Sequence, residues 1–153
     1  MNDVRTKQLR FTFINHPTGR TEEYIVATAI SDNIYQLNGA PFFAYGVNFG
    51  DQVIAELTAE GVLEVRQVLA RSRYHSLRIR FTNESDSRKN TELLQELIVP
   101  GVDYKQINGE SYALTVSPHR DYESLVDILY YYRELGLLQY ELSGEPHNSF
   151  DGQ

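Results

Sequence analysis

Four groups of side chains in this chain are of types that could do chemistry: Asp51, the histidines, an arginine run and a helix that mixes tyrosine with carboxylate. Asp51 follows Gly50 in a turn, where a carboxylate accepts hydrogen bonds from nearby amides. No second carboxylate or histidine shares its motif, so a turn-capping role outweighs a catalytic or metal-binding one. The four histidines, His16, His75, His119 and His147, lie far apart with no paired helical spacing, which offers no zinc or iron signature. Cysteine is absent, and thiol catalysis and cysteine-ligated zinc go with it. No glycine-rich phosphate loop precedes either expected helix, since NESDSRKN leads into one and SPHRD into the other. No serine sits in a nucleophile elbow. The sequence therefore assigns no catalytic residue, no metal and no cofactor.

Two arrangements suited to binding remain. In the second expected helix, Tyr122, Val126 and Tyr130 recur at i, i+4, i+8 with Glu123, Asp127 and Glu134 alongside. Tyrosines rimmed by carboxylates suit an interface with a basic protein, because the rings bury area at small entropic cost while the charges steer encounter. The alternative is a small-molecule pocket, binding or catalytic. There Phe42, Phe43, Tyr45 and Phe49, with Asp51 nearby, would hold an apolar body, and Arg78, Arg80 or Arg73 its anionic group. Arg66, Arg71, Arg73, Arg78 and Arg80 fall within fifteen residues. Such a run can form a nucleic-acid stripe, but a solvated strand face is the plainer reading.

The elements that must position these residues turn on the stretch Gln36–Val53, which packs three glycines, a proline and four aromatic residues into eighteen positions. The chain must change direction repeatedly there, with Gly39 and Gly50 expected at backbone angles other residues avoid. Its aromatic rings carry enough surface to plug one end of a small barrel. Before it, Leu9, Phe11 and Phe13 alternate with polar residues, His16–Gly19 reads as a turn, and Glu22–Ile30 alternates again. After it come strands over Gln52–Thr58 and Val62–Ala70, where Val68-Leu69 breaks the alternation and calls for a bulge. Residues 1–74 are thus expected to form a small β-barrel-like sheet.

Residues 75–144 read as strand, helix, strand, strand, helix, strand, the order of the ferredoxin-like βαββαβ fold. The strand His75–Phe81 alternates Leu77, Ile79 and Phe81 against Arg78 and Arg80. Leu93, Leu94, Leu97 and Ile98 mark the first helix, with candidate N-caps among Asn83–Asn90. Asn108-Gly109 signals a tight hairpin between Val102–Ile107 and Glu110–Val116. Ser117-Pro118 reads as the N-cap and first turn of the second helix, Gly136 as its C-cap, and Leu125, Ile128, Leu129, Tyr132 and Leu135 as its core stripe. Leu138, Tyr140 and Leu142 alternate in the last strand, and residues 145–153 form a polar tail. The open face of the sheet, with Arg78, Arg80, Ser111, Ala113 and Thr115, has no aromatic platform for bases, so it is expected to pack on the first part or to bind an anion.

The run LNGAPFFAYGVNFGDQVIAE, preceded by IYQL and followed by GVLEVRQVLARS, resembles a bacterial family known as domain of unknown function 4265. The resemblance extends from about Tyr24 to Phe81 and loosely beyond. Where the family pattern has tryptophan this chain has Tyr24, and where it has Ser-Gly this chain has Ser72-Arg73. The resemblance implies a fold and a bacterial origin; it carries over no catalytic residue.

Composition limits function further. The 153 residues, 41% hydrophobic and 23% charged, are ordinary for a globular α+β chain. No apolar run reaches the ~20 residues of a membrane helix, and the first eight residues are polar, so a cytoplasmic protein is expected. The net charge of −7 is unevenly placed, because residues 1–82 carry net +1 and residues 83–153 net −8. A field of that sign repels nucleic acid and attracts basic partners. The expected function is a non-enzymatic acidic protein-binding module, in its sharpest form an immunity protein that neutralises a bacterial toxin by direct binding.

Overall fold

A computed structural model describes residues 6–82, 87–98 and 100–142. The polar tail and part of the Asn83–Asn90 capping region lie outside the described residues. Among the described residues the protein is mostly β with two helices, arranged as two sheets of five and four strands. The first sheet contains β1 (Thr6–Thr12), β2 (Glu22–Ser31), β3 (Ile34–Leu37), β4 (Gln52–Leu57) and β5 (Leu63–Ala70) in sequential antiparallel order. It rolls onto itself through a short parallel seam that pairs Leu9 with Leu63 and Arg10 with Glu64. Two residue pairs make a weak ladder, so side chains reinforce it. The buried Glu64 carboxylate accepts from Arg10 Nε at 2.6 Å and from Thr12 Oγ1 at 2.8 Å.

Inward residues follow the alternation read from sequence: Leu9 and Phe11 on β1, Ile25 and Ala27 on β2, Val53 and Ala55 on β4. The bulge expected near Val68-Leu69 is present, since Ala70 and Val68 pair with consecutive residues of β4 and Leu69 is passed over. A second shift passes over Arg66, so Val65 and Val68 both pack on the core while Arg66 and Gln67 stay in solvent.

The second sheet runs β7 (Val102–Gln106), β8 (Ser111–Val116), β6 (His75–Phe81), β9 (Leu138–Leu142), all antiparallel. Helices α1 (Ser87–Leu97) and α2 (Tyr122–Glu134) share one face of it. Leu93, Leu94 and Leu97 of α1 and Leu125, Leu129 and Tyr132 of α2 join Leu77, Ile79, Phe81, Leu114 and Leu138 in a single core. The Tyr132 hydroxyl donates to Glu96 at 2.9 Å and ties the helices together.

Four local expectations are corrected. Asp121, not Ser117, caps α2, accepting from the Ser124 amide at 3.1 Å. Ser117 and Arg120 instead close a separate turn before it, because a tight turn after β8 delays the helix by one loop. Leu135 is the C-cap and Gly136 follows it at φ 76°, the left-handed position that ends helices. The hairpin of β7 and β8 is joined by residues 107–110, with Asn108 Oδ1 accepting from the amides of Glu110 and Ser111. That side-chain turn replaces the two-residue turn the Asn-Gly pair signalled. Finally, Ile128 and Leu135 are 36% and 53% exposed, so the core stripe of α2 is narrower than its apolar spacing implied.

Candidate functional site

The segment between β3 and β4 packs against the second sheet through Tyr45 and the carbonyls of Pro41 and Ala44, and several of its amides are held by carboxylates. The Glu23 carboxylate on β2 accepts from three successive amides, Phe42 at 2.5 Å, Phe43 at 3.0 Å and Ala44 at 2.9 Å. Successive amides facing one point form an anion-binding nest, and here the protein fills it with its own carboxylate. Asp51 fixes the far end. Fully buried, it accepts from the Asn48 amide at 2.9 Å and the Ser72 amide at 2.7 Å, and Ser72 Oγ donates to Phe49 O at 2.6 Å. Gly50 beside it has φ 85°, while Gly39 and Arg73 do not adopt the left-handed conformation. The glycine-to-arginine departure thus places no left-handed backbone strain at Arg73.

The aromatic rings do not plug the rolled sheet. Pro41, Ala44 and Val47 are the buried residues of this segment, and Ala44 and Val47 enter the first core. A period of three turns Phe42, Phe43 and Tyr45 outward, where they meet the second sheet and the His16 turn. His16 Nε2 donates to Phe43 O at 2.7 Å, and its ring stacks on Tyr45 with centroids 5.3 Å apart. The Arg20 guanidinium lies 4.0 Å from the Phe43 centroid.

Arg78 is the centre of the arrangement. Its side chain is 2% exposed, and Nε donates to Glu141 Oε1 at 3.0 Å. Nη1 donates to Ala44 O at 3.0 Å and more weakly to Pro41 O at 3.4 Å. The Tyr45 hydroxyl donates to the other Glu141 oxygen at 2.8 Å, and the guanidinium lies 4.9 Å from the Tyr45 centroid. Burial, with the carboxylate beside it, pushes the Tyr45 hydroxyl up to about 12. The open face of the second sheet is therefore covered by the first part, as its lack of aromatic residues implied. Arg78 is buried there, whereas its neighbour Arg80 stays exposed and donates to Gln139.

Of the expected pocket residues, Phe42, Phe43, Arg78 and Arg80 line one cleft of about 180 Å³ together with Ser111 and Glu141. Tyr45 faces a different hollow of about 440 Å³ beside His16 and Phe13. Asp51 lines neither. The arginine run is dispersed: Arg66 pairs with Glu56, Arg71 donates to Gly46 O and Arg78 turns inward.

On α2, Tyr122 is half-buried and its ring stacks on His75 with centroids 3.9 Å apart. Tyr130 is 50% exposed, with Arg133 4.9 Å from its centroid. Tyr131 is 60% exposed, and Ile128, Tyr131 and Leu135 recur at i, i+3, i+7 along the outer side of the helix. Glu123, Asp127 and Glu134 are exposed on the same helix. The Asp121 carboxyl at its start is held below its usual range by the Ser124 hydroxyl and amide.

Sequence reasoning overlooked Glu23, Glu141, Tyr131 and the exposure of Ile128 and Leu135. A signal for the first two was present. Glu23 alternates in register with the inward residues Ile25 and Ala27, and Glu141 lies on the strand face opposite Tyr140, beside Arg78. A charged residue on a buried face requires a partner. Among the described residues no group of three histidines or carboxylates converges as a metal site, and no helix is long and apolar enough to cross a membrane.

Fold and site together define a β-rich protein with two helices, two antiparallel sheets and a buried polar junction between them. The chain belongs to the family described as Domain of unknown function (DUF4265), whose model matches residues 23–140. Its structure is similar to one titled "Novel crystal structure of a hypothetical protein from Neisseria gonorrhoeae", with a TM-score of 0.76, 15% identity, and coverage of 94% of this chain and 97% of that one. At that identity the likeness is one of fold. No curated protein matches.

Proposed function

We propose that this protein is a non-enzymatic binding module that takes a basic protein partner on the outer side of α2, and that it acts as an immunity protein, neutralising a toxin by direct contact. One observation carries this reading. Ile128, Tyr130, Tyr131 and Leu135 are each at least about one-third exposed on a single helix that also displays Glu123, Asp127 and Glu134. Single exposed apolar residues need no explanation, but Ile128, Tyr131 and Leu135 at i, i+3, i+7 line up as one strip, with the carboxylates and then Tyr130 beside it on the same helix. Charge selects the occupant, because residues 83–153 carry net −8 and a basic surface would be steered to them. Tyr122, packed on His75, supports the helix from below and does not serve as an anchor. As to architecture, we read residues 75–144 as the ferredoxin-like split fold, supported by strand order and by both helices on one face, and the first part as a small barrel.

The test is capture of the partner from the native organism, followed by kinetics with the purified pair. Truncating a buried aromatic anchor commonly costs ~2 kcal/mol or more, mostly through faster dissociation, whereas a rim charge acts on association. Tyr131→Ala and Tyr130→Ala should speed dissociation. Asp127→Asn should slow association at low salt and leave dissociation nearly unchanged. Wild-type kinetics in all three variants would place the interface elsewhere and remove this reading.

A further inference from the structure

Among the described residues, β7 (Val102–Gln106) has β8 on one side and no strand on the other, and all of its residues after Val102 are exposed. The Ile107 amide donates to Ser111 O and the Ser117 amide to Gly101 O, which fixes the phase of the β7–β8 ladder. Odd-numbered residues of β7 therefore turn their backbone groups to β8, while the amides and carbonyls of Val102, Tyr104 and Gln106 point away from it. An exposed edge of this kind is a template for another chain. A lysine in such a strand ordinarily guards against that use, but here Lys105 stands two residues from Asp103. Within their own sheet these two lie opposite the uncharged Ala113 and Thr115, and no ion pair among the described residues uses either of them.

We propose that β7 pairs antiparallel with β7 of a second copy of this chain about a two-fold axis at Tyr104, so that the two four-stranded sheets become one continuous sheet. In that register Tyr104 exchanges both of its backbone hydrogen bonds with its counterpart, and Asp103 of each copy lies opposite Lys105 of the other. Both Asp–Lys pairs fall at non-hydrogen-bonded positions, where cross-strand side chains come closest. Charge selects the register. A shift of two residues, the smallest that keeps each side chain on its face, sets Asp103 against Asp103 in one direction and Lys105 against Lys105 in the other. The opposite edge, β9, has no such pattern, because the same symmetry in LQYEL would oppose Gln139 to Glu141, which Arg78 already holds. A five-residue ladder is small against the ~1,200 Å² of a stable interface, and the surface beside it supplies more area. Lys105 shares a hollow with Tyr24 and Val26 of β2, which are 45% and 39% exposed, and Tyr104 is 48% exposed. Helix α2 packs on β9, at the far side of the sheet from this edge, so the dimer is independent of a partner on that helix.

Sedimentation equilibrium of the full-length protein over a concentration series tests the assignment, at about 0.15 M salt, where repulsion between two chains of net −7 is screened beyond ~8 Å. The wild type should approach twice its monomer mass of 17.6 kDa. Asp103→Lys and Lys105→Asp each set like charges opposite one another in both pairs, and each should raise the dimer dissociation constant about tenfold or more. Mixed in equal amounts, the two variants are complementary again and should form a heterodimer of near wild-type affinity, a rescue that a disturbed fold would not give. Thermal melts check that each variant is folded, and Asp103→Asn with Lys105→Gln, which should weaken the dimer several-fold, replaces any that is not. The proposal is overturned if the wild type stays monomeric up to about 1 mM, the weak end of useful affinity. It is equally overturned if the dimer is indifferent to these substitutions, or if the mixed charge-reversed variants remain as dissociated as each is alone.

Discussion

Removing the Glu141 carboxylate would leave the Arg78 guanidinium buried with no counter-charge among its hydrogen-bond partners, which are otherwise the carbonyls of Pro41 and Ala44. Breaking a buried pair from one side commonly costs ~3–5 kcal/mol, whereas replacing both partners by apolar residues is often neutral. Glu141→Ala should therefore lower the urea-unfolding free energy by about that amount, and the double variant Arg78→Met with Glu141→Leu should recover most of it. Equal destabilisation by the single and double variants would contradict this account of the pair. The neighbouring Tyr45 hydroxyl gives a pH signature. Its folded value of about 12 lies above the ordinary 10, so the folded state holds this proton more tightly than the unfolded chain. Its contribution is complete below pH 10 and is lost as pH rises from 10 to 12; Tyr132, raised to about 12 by burial and by Glu96, behaves the same way. Urea unfolding at pH 9 and pH 11 should show lower stability at the higher pH, with a smaller difference in Tyr45→Phe.

At the scale of elements, the connection between β3 and β4 is held by carboxylates at both ends, Glu23 on three amides and Asp51 on two. Gly50 lies where this connection enters β4, at φ 85°, and a Cβ there would meet the Ser72 Cβ at 3.1 Å. Both the backbone angle and the contact oppose a side chain, and strain of this kind costs ~1–3 kcal/mol. Gly50→Val should lower the thermal midpoint accordingly, while Gly19→Ala, also at positive φ but with open space around it, should show the backbone penalty alone. A melt of Gly50→Val matching wild type would mean that this connection does not govern the fold. On α2 the same physical rule works in reverse: a helix face with more apolar residues than the sheet can cover leaves Ile128, Tyr131 and Leu135 in solvent.

For the whole molecule, two apolar cores meet at a polar junction formed by Arg78, Glu141, Tyr45 and the carbonyls of Pro41 and Ala44. Separating the halves would expose these groups one-sidedly and forfeit their mutual hydrogen bonds, so neither core is expected to melt alone. Far-UV and near-UV circular dichroism should report one coincident thermal transition in the wild type. Glu141→Ala, which weakens the junction without touching either apolar core, should separate it into two. A wild-type melt that already shows two transitions would rule out this coupling.

Residue order by itself determined most of the elements, because alternation and helical spacing are local properties: β1, β2, β6 and β9 and the helices α1 and α2 fall where Leu9–Phe13, Glu22–Ile30, His75–Phe81, Leu138–Leu142 and the leucine spacings put them. It also determined the bulge near Leu69, which a broken alternation reveals, and the place of Asp51 in a turn where its carboxylate accepts from nearby amides. Other features depended on what came to lie opposite. Arg78 and Arg80 are equivalent in sequence pattern, yet one is buried on Glu141 and the other exposed, since only the packed halves decide which guanidinium the β3–β4 connection covers. Likewise the apolar residues of α2 are one arc in sequence, and the width of the sheet beneath them settled that Leu125, Leu129 and Tyr132 are core while Ile128 and Leu135 are surface. Burial is a relation between distant segments, and no local spacing can encode which of two like residues will meet its partner.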